Sequence, residues 1–559
     1  MKPDIRWQVL LVLAAVSLVL MLLSFQVQSA ALCTTTIPSS GGTYIEGMVG
    51  SPLVLNPLLS DTYPIDRELT NLIFDGLVRF DETGQIQPAL AEEWSISDDG
   101  LVISFKLRDD LVWHDGVPVT VEDVAFTFGL LQDPQFPGPA ALVNLWRPIT
   151  IQVVDRDQIE FTLPQPYAPF MAALTRGILP SHLLSSVAAA ELAASAFNLA
   201  PVGTGPFRVE TGQSWNRTGR MRLTPDPSYW REGTQLSDIE IRFYPSDAEL
   251  LAAFEAGQIH GANGISPTTL PVLTEMEDTR VFTSAVPRYM SLLFNMTDSG
   301  APAVQSIEAR QALALGLDRS HLVDNVLNGQ GLIFDGPYLP ESWAYRPAIL
   351  TPYAYDPQTA GSMLDGLGWI PDAEGIRQSS GTPLSIRLLT SAQSDQQAIA
   401  DAIAAMWRDI GIDVQVMVES DLDDFRSDLS ERNFDLALVE VAAPDDPDLY
   451  DFWSQEAIVR GQNYGGWNNR RASEALETAR QLYSKDERAV YYEAFLRQFA
   501  SDLPALTLYQ SVNVMALHDS VQQVEIGRVW QPRDRFKTFP IWFLNFRDVV
   551  VACPLETSD

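Results

Sequence analysis

Apolar and polar positions alternate from Trp94 to Leu107 and then fall into helical spacing, which makes Leu90 to Phe128 the most readable stretch of the chain. Trp94 and Ile96 lead into Asp98-Asp99-Gly100, a turn sequence that tolerates positive φ, and Leu101, Ile103, Phe105 and Leu107 then take every second position. The pattern predicts a β-hairpin with one buried face. Asp115-Gly116 predicts a further turn. Thr120 stands where a helix cap belongs, with Asp123 three residues on as the acid of a capping box, and Val124, Phe126 and Phe128 follow.

The same reading extends along the chain. Tyr44 to Ser51 predicts a strand ending in a glycine turn at Gly50, and Ile65 to Phe74 predicts a helix. Prolines recur from Pro134 to Pro180 and leave short strands and loops, Ile159 to Leu163 among them, with no long helix expected. Pro201 to Phe207 carries Gly203 and Gly205 in a tight turn; no Lys-Ser/Thr pair follows, so a phosphate-cradling loop is disfavoured. Ile239 to Tyr244 and Met290 to Asn295 predict strands, whereas Asp247 to Ala256 and the run from Arg310 to Val323 predict helix. In the second half Leu384 to Leu389, a helix face of Ile399, Ile403, Met406, Trp407 and Ile410, a stop at Gly411, and Ile412 to Val418 make a β-α-β unit. Parallel strands with a helical crossover place this half in the α/β class. Phe434 to Val439 and Pro540 to Phe546 supply further strands.

Composition narrows the partners. The 559 residues are 46% hydrophobic and 19% charged, enough for more than one core. Acidic side chains outnumber basic ones 72 to 37, the net charge is -35, and lysine occurs only at Lys2, Lys106, Lys485 and Lys537. Such a chain repels phosphate backbones and anionic lipid, which argues against nucleic acid or an electrostatic membrane interaction.

Val9 to Phe25 is apolar apart from Ser17 and Ser24 and follows Lys2, Asp4 and Arg6, so residues 1–31 are expected to be an export signal or a membrane anchor. Ser29-Ala30-Ala31 offers small residues for cleavage. Cys33 invites a lipoprotein reading, which the preceding Leu32 disfavours. Export makes a disulfide chemically accessible to Cys33 and Cys553, the two cysteines of the chain.

An enzyme would need a constellation. The five histidines, His114, His182, His260, His321 and His518, stand singly, and no His-Glu-x-x-His, cysteine pair or Gly-x-Ser-x-Gly occurs. No catalytic residue, metal ligand or cofactor is expected, and binding remains.

The run Lys106-Leu107-Arg108-Asp109, Trp113-His114-Asp115-Gly116 and Glu122-Asp123-Val124 resembles the signature of the bacterial extracellular solute-binding proteins of family 5, the peptide and nickel receptors of ABC importers. Ile178 to Leu183, Pro201 to Phe207, Arg310-Gln311-Ala312 with Asp318-Arg319, and Asn463 to Asn469 resemble the same family. The resemblance implies a two-lobed, class II periplasmic-binding-protein-like α/β fold. It would place lobe I at 43–296 with an extra subdomain at about 76–220, lobe II at 297–510, and the return to lobe I at 511–559, after a linker at 32–42.

It also implies an exported, monomeric receptor that closes on a peptide-like solute and hands it to the permease subunits of the transporter. The membrane would be touched only through the N-terminal segment. In peptide-binding relatives an aspartate a few residues before an Asp-Pro pair holds the peptide ammonium. If Asp446-Pro447 is that pair, Ala443 occupies the anchoring position and Glu440 replaces a tryptophan three residues earlier, so Asp445 or Glu440 would have to substitute. Otherwise the solute is not a peptide with a free N-terminus. An oligosaccharide, a metal chelate, or a sensor or chaperone-like role without transport is then the alternative. Further contacts implied are Gly50, Ser51, Tyr289, Asn295, Tyr338, Asp446, Tyr464 and Trp467, and a Cys33–Cys553 clasp would join the two tails.

Overall fold

The computed structural model describes residues 3–28, 32–39, 41–60, 63–81, 84–210, 212, 215–231, 236–525 and 541–552. The alternating stretch forms the hairpin: strands Ala91–Ile96 and Val102–Leu107 run antiparallel with Trp94 opposite Phe105, and Gly100 turns the chain at φ +71°. Helix Val121–Gln132 starts at Thr120, whose N–H donates to Asp123 Oδ2 at 2.9 Å. The same carboxylate accepts Trp113 Nε1–H at 3.2 Å, and its Oδ1 accepts Ser181 N–H at 2.9 Å. One buried acid therefore ties turn, helix and the segment at Ser181 together, which satisfies otherwise orphaned donors at the helix start.

His114 does the same for the neighbouring turn. Its Nδ1 accepts Gly203 N–H at 3.2 Å, so the ring proton sits on Nε2, which donates to Gly205 O at 2.9 Å. Gly203 must be glycine, since a Cβ there would stand 1.9 Å from Ile73 O.

Among the described residues the main sheet has ten strands. From one edge they are Asp413–Glu419, Ser385–Ser391, Leu436–Ala442, Thr279–Phe294, Ala505–His518, Gly261–Ile265, Thr43–Val49, Asp238–Tyr244, Arg220–Pro225 and Phe207–Val209. Ser385–Ser391 and Asp413–Glu419 are parallel across helix Ser394–Asp409, the β-α-β unit of the sequence. Trp407 on that helix is fully buried and donates Nε1–H to Leu313 O at 3.0 Å; its loss to alanine would cost about 3–5 kcal/mol.

Separate cores lie under the two halves of this sheet. One gathers Tyr44, Trp113, Phe128, Trp146, Ile241 and Leu517. The others gather Leu292, Ile386, Trp407 and Leu506, and Tyr289, Phe434, Trp467 and Phe495. The molecule is thus a two-lobed α/β protein.

Three elements differ from the sequence expectation, one of them the strand expected at Pro540 to Phe546, which starts at Asn545 and runs to Ala552. The strand expected at Met290 to Asn295 runs from Thr279 to Phe294, because residues 279–288 are mostly half-buried and show no clean alternation. The helical run from Arg310 to Val323 is broken: helix Ile307–Leu315 stops, and Asp318 Oδ1 accepts His321 N–H at 2.9 Å to start a new turn.

At the ends, strand Leu32–Ser39 pairs antiparallel with Asn545–Ala552, placing Cys33 opposite Val551. Cys553, and with it the expected clasp, lies outside the described residues. In helix Pro3–Gln28 the large hydrophobic side chains described, from Trp7 to Met21, are exposed. Among the described residues no helix is long and apolar enough to cross a membrane.

Candidate functional site between the lobes

Strands Thr279–Phe294 and Ala505–His518 belong to both lobes. Their pairing is regular from Thr279↔His518 to Ala285↔Val512 and resumes at Tyr289↔Gln510, so Val286, Pro287 and Arg288 face the single residue Ser511. Met515 and Leu517 lie in the first-lobe core, and Tyr289, Leu292 and Leu506 in those of the second. The bulge sits where the lobes meet, and a bulge with a proline is where a sheet bends most readily.

Beside it, Ala443 N–H donates to Pro287 O at 2.9 Å. Ala443 also lines a pocket together with Gly84, Tyr338, Glu341, Trp343 and Asp445. Gly84 comes from the first lobe and the others from the second. Pro444, Pro447 and Leu449 give it an apolar wall.

The acids behind this wall are committed to the protein. Asp446 forms a bidentate pair with Arg488, with Nη1 to Oδ2 at 2.8 Å. Asp448 takes Arg480 Nη2 and Nε at 2.7 and 3.0 Å. Burial pushes the Asp448 carboxyl up to about 6, with Arg480 acting in the opposite direction. The guanidinium of Arg488 also lies 5.3 Å from the ring centre of Trp343 and that of Arg480 4.2 Å from the ring centre of Tyr450.

The segment that carries Arg480 reaches the first lobe. Ala168 N–H donates to Arg480 O at 2.8 Å, and Tyr483 Oη–H donates to Gly100 O at 2.9 Å. Lys485 Nζ bonds Gln85. The hairpin turn at Gly100 and the loop at Tyr167-Ala168 are thereby held against the second lobe.

Of the residues singled out in the sequence, Tyr338, Ala443 and Asp445 line the pocket and Asp446 stands behind it. Glu440 pairs with Arg288 at 3.2 Å and accepts Ser511 Oγ–H at 2.9 Å, across the bulged strands. Tyr289 is buried against Phe334, and Trp467 is buried with Nε1–H donating to Asp502 at 2.8 Å. Tyr464 is half-buried at the edge of the same core. Asn295 is fully buried and donates to Phe434 O at 2.8 Å, completing backbone hydrogen bonding. Gly50 and Ser51 are exposed at the end of strand Thr43–Val49, with Gly50 at φ +97°. Sequence reasoning passed over Glu341, Trp343, Arg480 and Arg488. The first two lie in a loop without periodicity, and the arginines look like surface charges of a helix end and a helix start.

This arrangement has counterparts. Residues 85–458 match the model for bacterial extracellular solute-binding proteins, family 5 Middle. The chain is 25% identical over 519 residues to Oligopeptide-binding protein AppA of Bacillus subtilis (strain 168), covering 91% of this chain and 92% of that one. It is 26% identical over 386 residues to the Nickel-binding periplasmic protein of Escherichia coli (strain K12), covering 66% and 70%. The crystal structure of NikZ from Campylobacter jejuni in complex with Ni(L-His) superposes with a TM-score of 0.74 at 25% identity, over 90% of this chain and 99% of that one. These proteins bind solutes and are not enzymes, and the chain belongs to the bacterial extracellular solute-binding proteins of family 5, the receptors of ABC importers.

Proposed function

We propose that the chain captures an oligopeptide or dipeptide-like solute between its lobes by hinge closure and delivers it to the permease subunits of an importer at the outer face of the membrane. The observation that carries this reading is the pocket formed by Gly84 of one lobe and Tyr338, Glu341, Ala443 and Asp445 of the other, beside the bulge at Val286 to Arg288. A solute in contact with both walls favours the closed arrangement, so binding energy becomes a shape that a transporter can read. Mostly apolar walls with few polar groups suit a small organic solute. A peptide-binding relative covering nine-tenths of the chain supports a peptide; nickel-binding relatives support a metal chelate as the second reading.

Native mass spectrometry of the full chain as purified, with identification of whatever leaves on denaturation, tests it. Short peptides of mixed sequence are expected. A sugar or a metal chelate in their place would overturn the peptide reading and leave the receptor role intact.

A further inference from the structure

Each residue of the bulge between the lobes is tied to the second lobe. Val286 O accepts Gln510 Nε2–H at 3.1 Å, Pro287 O accepts Ala443 N–H at 2.9 Å, and Arg288 Nη1–H donates to Glu440 Oε2 at 3.2 Å. The other oxygen of Glu440, Oε1, accepts Ser511 Oγ–H at 2.9 Å, and Ser511 is the residue that the bulge faces on the neighbouring strand. One carboxylate on strand Leu436–Ala442 thus holds both strands of the crossing at the point where they leave register. The tie at Pro287 joins backbone groups, whereas the tie at Arg288 exists only through side chains.

Glu440 is not a wall of the pocket. Its register partner Met290 packs with Leu292 and Trp407, whereas the adjacent Tyr289 and Val441 pack in the core that contains Tyr338 and carries Ala443 at its edge. Successive side chains of a strand point to opposite faces, so Glu440 stands on the face turned away from Tyr338 and Ala443. Asp395, in the first turn of helix Ser394–Asp409, faces the same ion pair: burial pushes its carboxyl up, Glu440 acts in the same direction and Arg288 in the opposite one. Arg288 is therefore a cation placed between two acids.

A bulge interrupts the ladder, and bending there changes the spacing of Arg288 and Ser511 from the strand that carries Glu440. The brace is made in the same arrangement in which Ala168 N–H reaches Arg480 O and Tyr483 Oη–H reaches Gly100 O, so it adds to the stability of touching lobes. We propose that Glu440 is a positioning residue of the hinge, which holds Arg288 and Ser511 together across the bulge and biases the lobes toward contact without touching the solute. This rests on the hinge reading above. Glu440, which stands where the resemblance places a tryptophan, then serves the motion of the lobes.

The test measures the distance between the lobes in the full chain with no added solute. Val154→Cys in the first lobe and Val459→Cys in the second, 46% and 85% exposed, carry nitroxide labels in a Cys33→Ser, Cys553→Ser background. Double electron–electron resonance then gives the distance distribution, with Arg480→Ala as a control that frees the lobes elsewhere. The pair is 36% and 28% exposed, so Glu440→Ala should raise the fraction of longer distances about two- to fivefold. Arg288→Ala, which leaves Glu440 facing Asp395, should raise it at least as much, and combining the two should add nothing, because both cut one brace. Exchanging the pair, Arg288→Glu with Glu440→Arg, should bring the distribution back toward that of the wild type. If Arg480→Ala lengthens the distance and Glu440→Ala does not, the hinge reading stands and the brace is overturned. If no variant moves the distance, Arg480→Ala included, the hinge reading fails and the brace with it. Should Glu440→Ala fail to fold, Arg288→Ala takes its place, and an unchanged distribution then rejects the proposal.

Discussion

Arg480 of the second lobe stands 4.9 Å from the ring centre of Tyr167 of the first, with its Nη2 hydrogen-bonded to Tyr167 Oη at 3.3 Å while it also holds Asp448. One guanidinium thus serves a buried ion pair within its own lobe and a contact between lobes. Arg480→Ala leaves Asp448 buried and unmatched, and the expected loss is about 3–5 kcal/mol at pH 7. The two lobes should also separate, seen as a larger radius of gyration of the solute-free protein in X-ray scattering. Tyr167→Phe keeps the ring and should cost no more than about 1 kcal/mol. An unchanged scattering profile for Arg480→Ala would mean that the contact does not hold the lobes together.

Asp448 gives this pair a pH dependence. With its carboxyl pushed up to about 6 by burial, the fold retains a proton between about pH 4 and 6 that the unfolded chain has released. The group therefore favours the fold more at pH 4 than at pH 7. Denaturant titrations should show wild-type stability rising relative to Asp448→Asn by on the order of 3 kcal/mol as the pH is lowered from about 6 to about 4. The penalty of Arg480→Ala should shrink in the same direction, because a protonated Asp448 needs no counter-charge. A difference independent of pH would show that Arg480 keeps the carboxyl in the ordinary range.

Asp446 is predicted to matter for the fold first. Arg488 is 5% exposed and pairs with Asp446, while its Nη2 also donates to Tyr492 Oη at 2.6 Å. Asp446→Asn leaves a buried guanidinium without its counter-ion and should lower stability by about 3–5 kcal/mol, measured by urea unfolding. A stability within 1 kcal/mol of wild type, together with weakened solute binding, would instead place Asp446 in direct contact with the solute.

His114 should show the opposite pH behaviour to Asp448. Burial pushes the imidazole below its ordinary 6.5, and its Nδ1 must stay unprotonated to accept Gly203 N–H. The stability it contributes is full above the ordinary value and declines as the pH falls through it, since the unfolded chain takes up the proton first. The advantage of wild type over His114→Ala should be about 1–3 kcal/mol at pH 8 and smaller at pH 5.5. Gly203→Ala, which drives a Cβ into Ile73 O, should destabilise at both pH values alike.

The hairpin, the capping box at Thr120 and Asp123, and the β-α-β unit ending at Gly411 were legible in the chain because each is a relation between residues a few positions apart. Periodicity and capping act over that range, and the family signature from Lys106 to Val124 lies within it. The long strand Thr279–Phe294 was legible only at its buried end, since its half-exposed part serves the first lobe without alternation.

The site was legible in parts. Tyr338, Ala443 and Asp445 were readable as pocket residues, and Glu341 was not. Whether a carboxylate serves the solute or the protein depends on which arginine reaches it, and the arginines of Asp446 and Asp448 come from 42 and 32 positions away. Gly84 meets Ala443 across some 360 residues of chain, and Gln510 meets Glu341 across 169. The sequence by itself determined the elements, the two-lobed class and the acidic character. Only the tertiary structure decided which charges are neutralised, because the cost of a charge is set by burial and by the counter-ion beside it, and neither is a property of sequence neighbours.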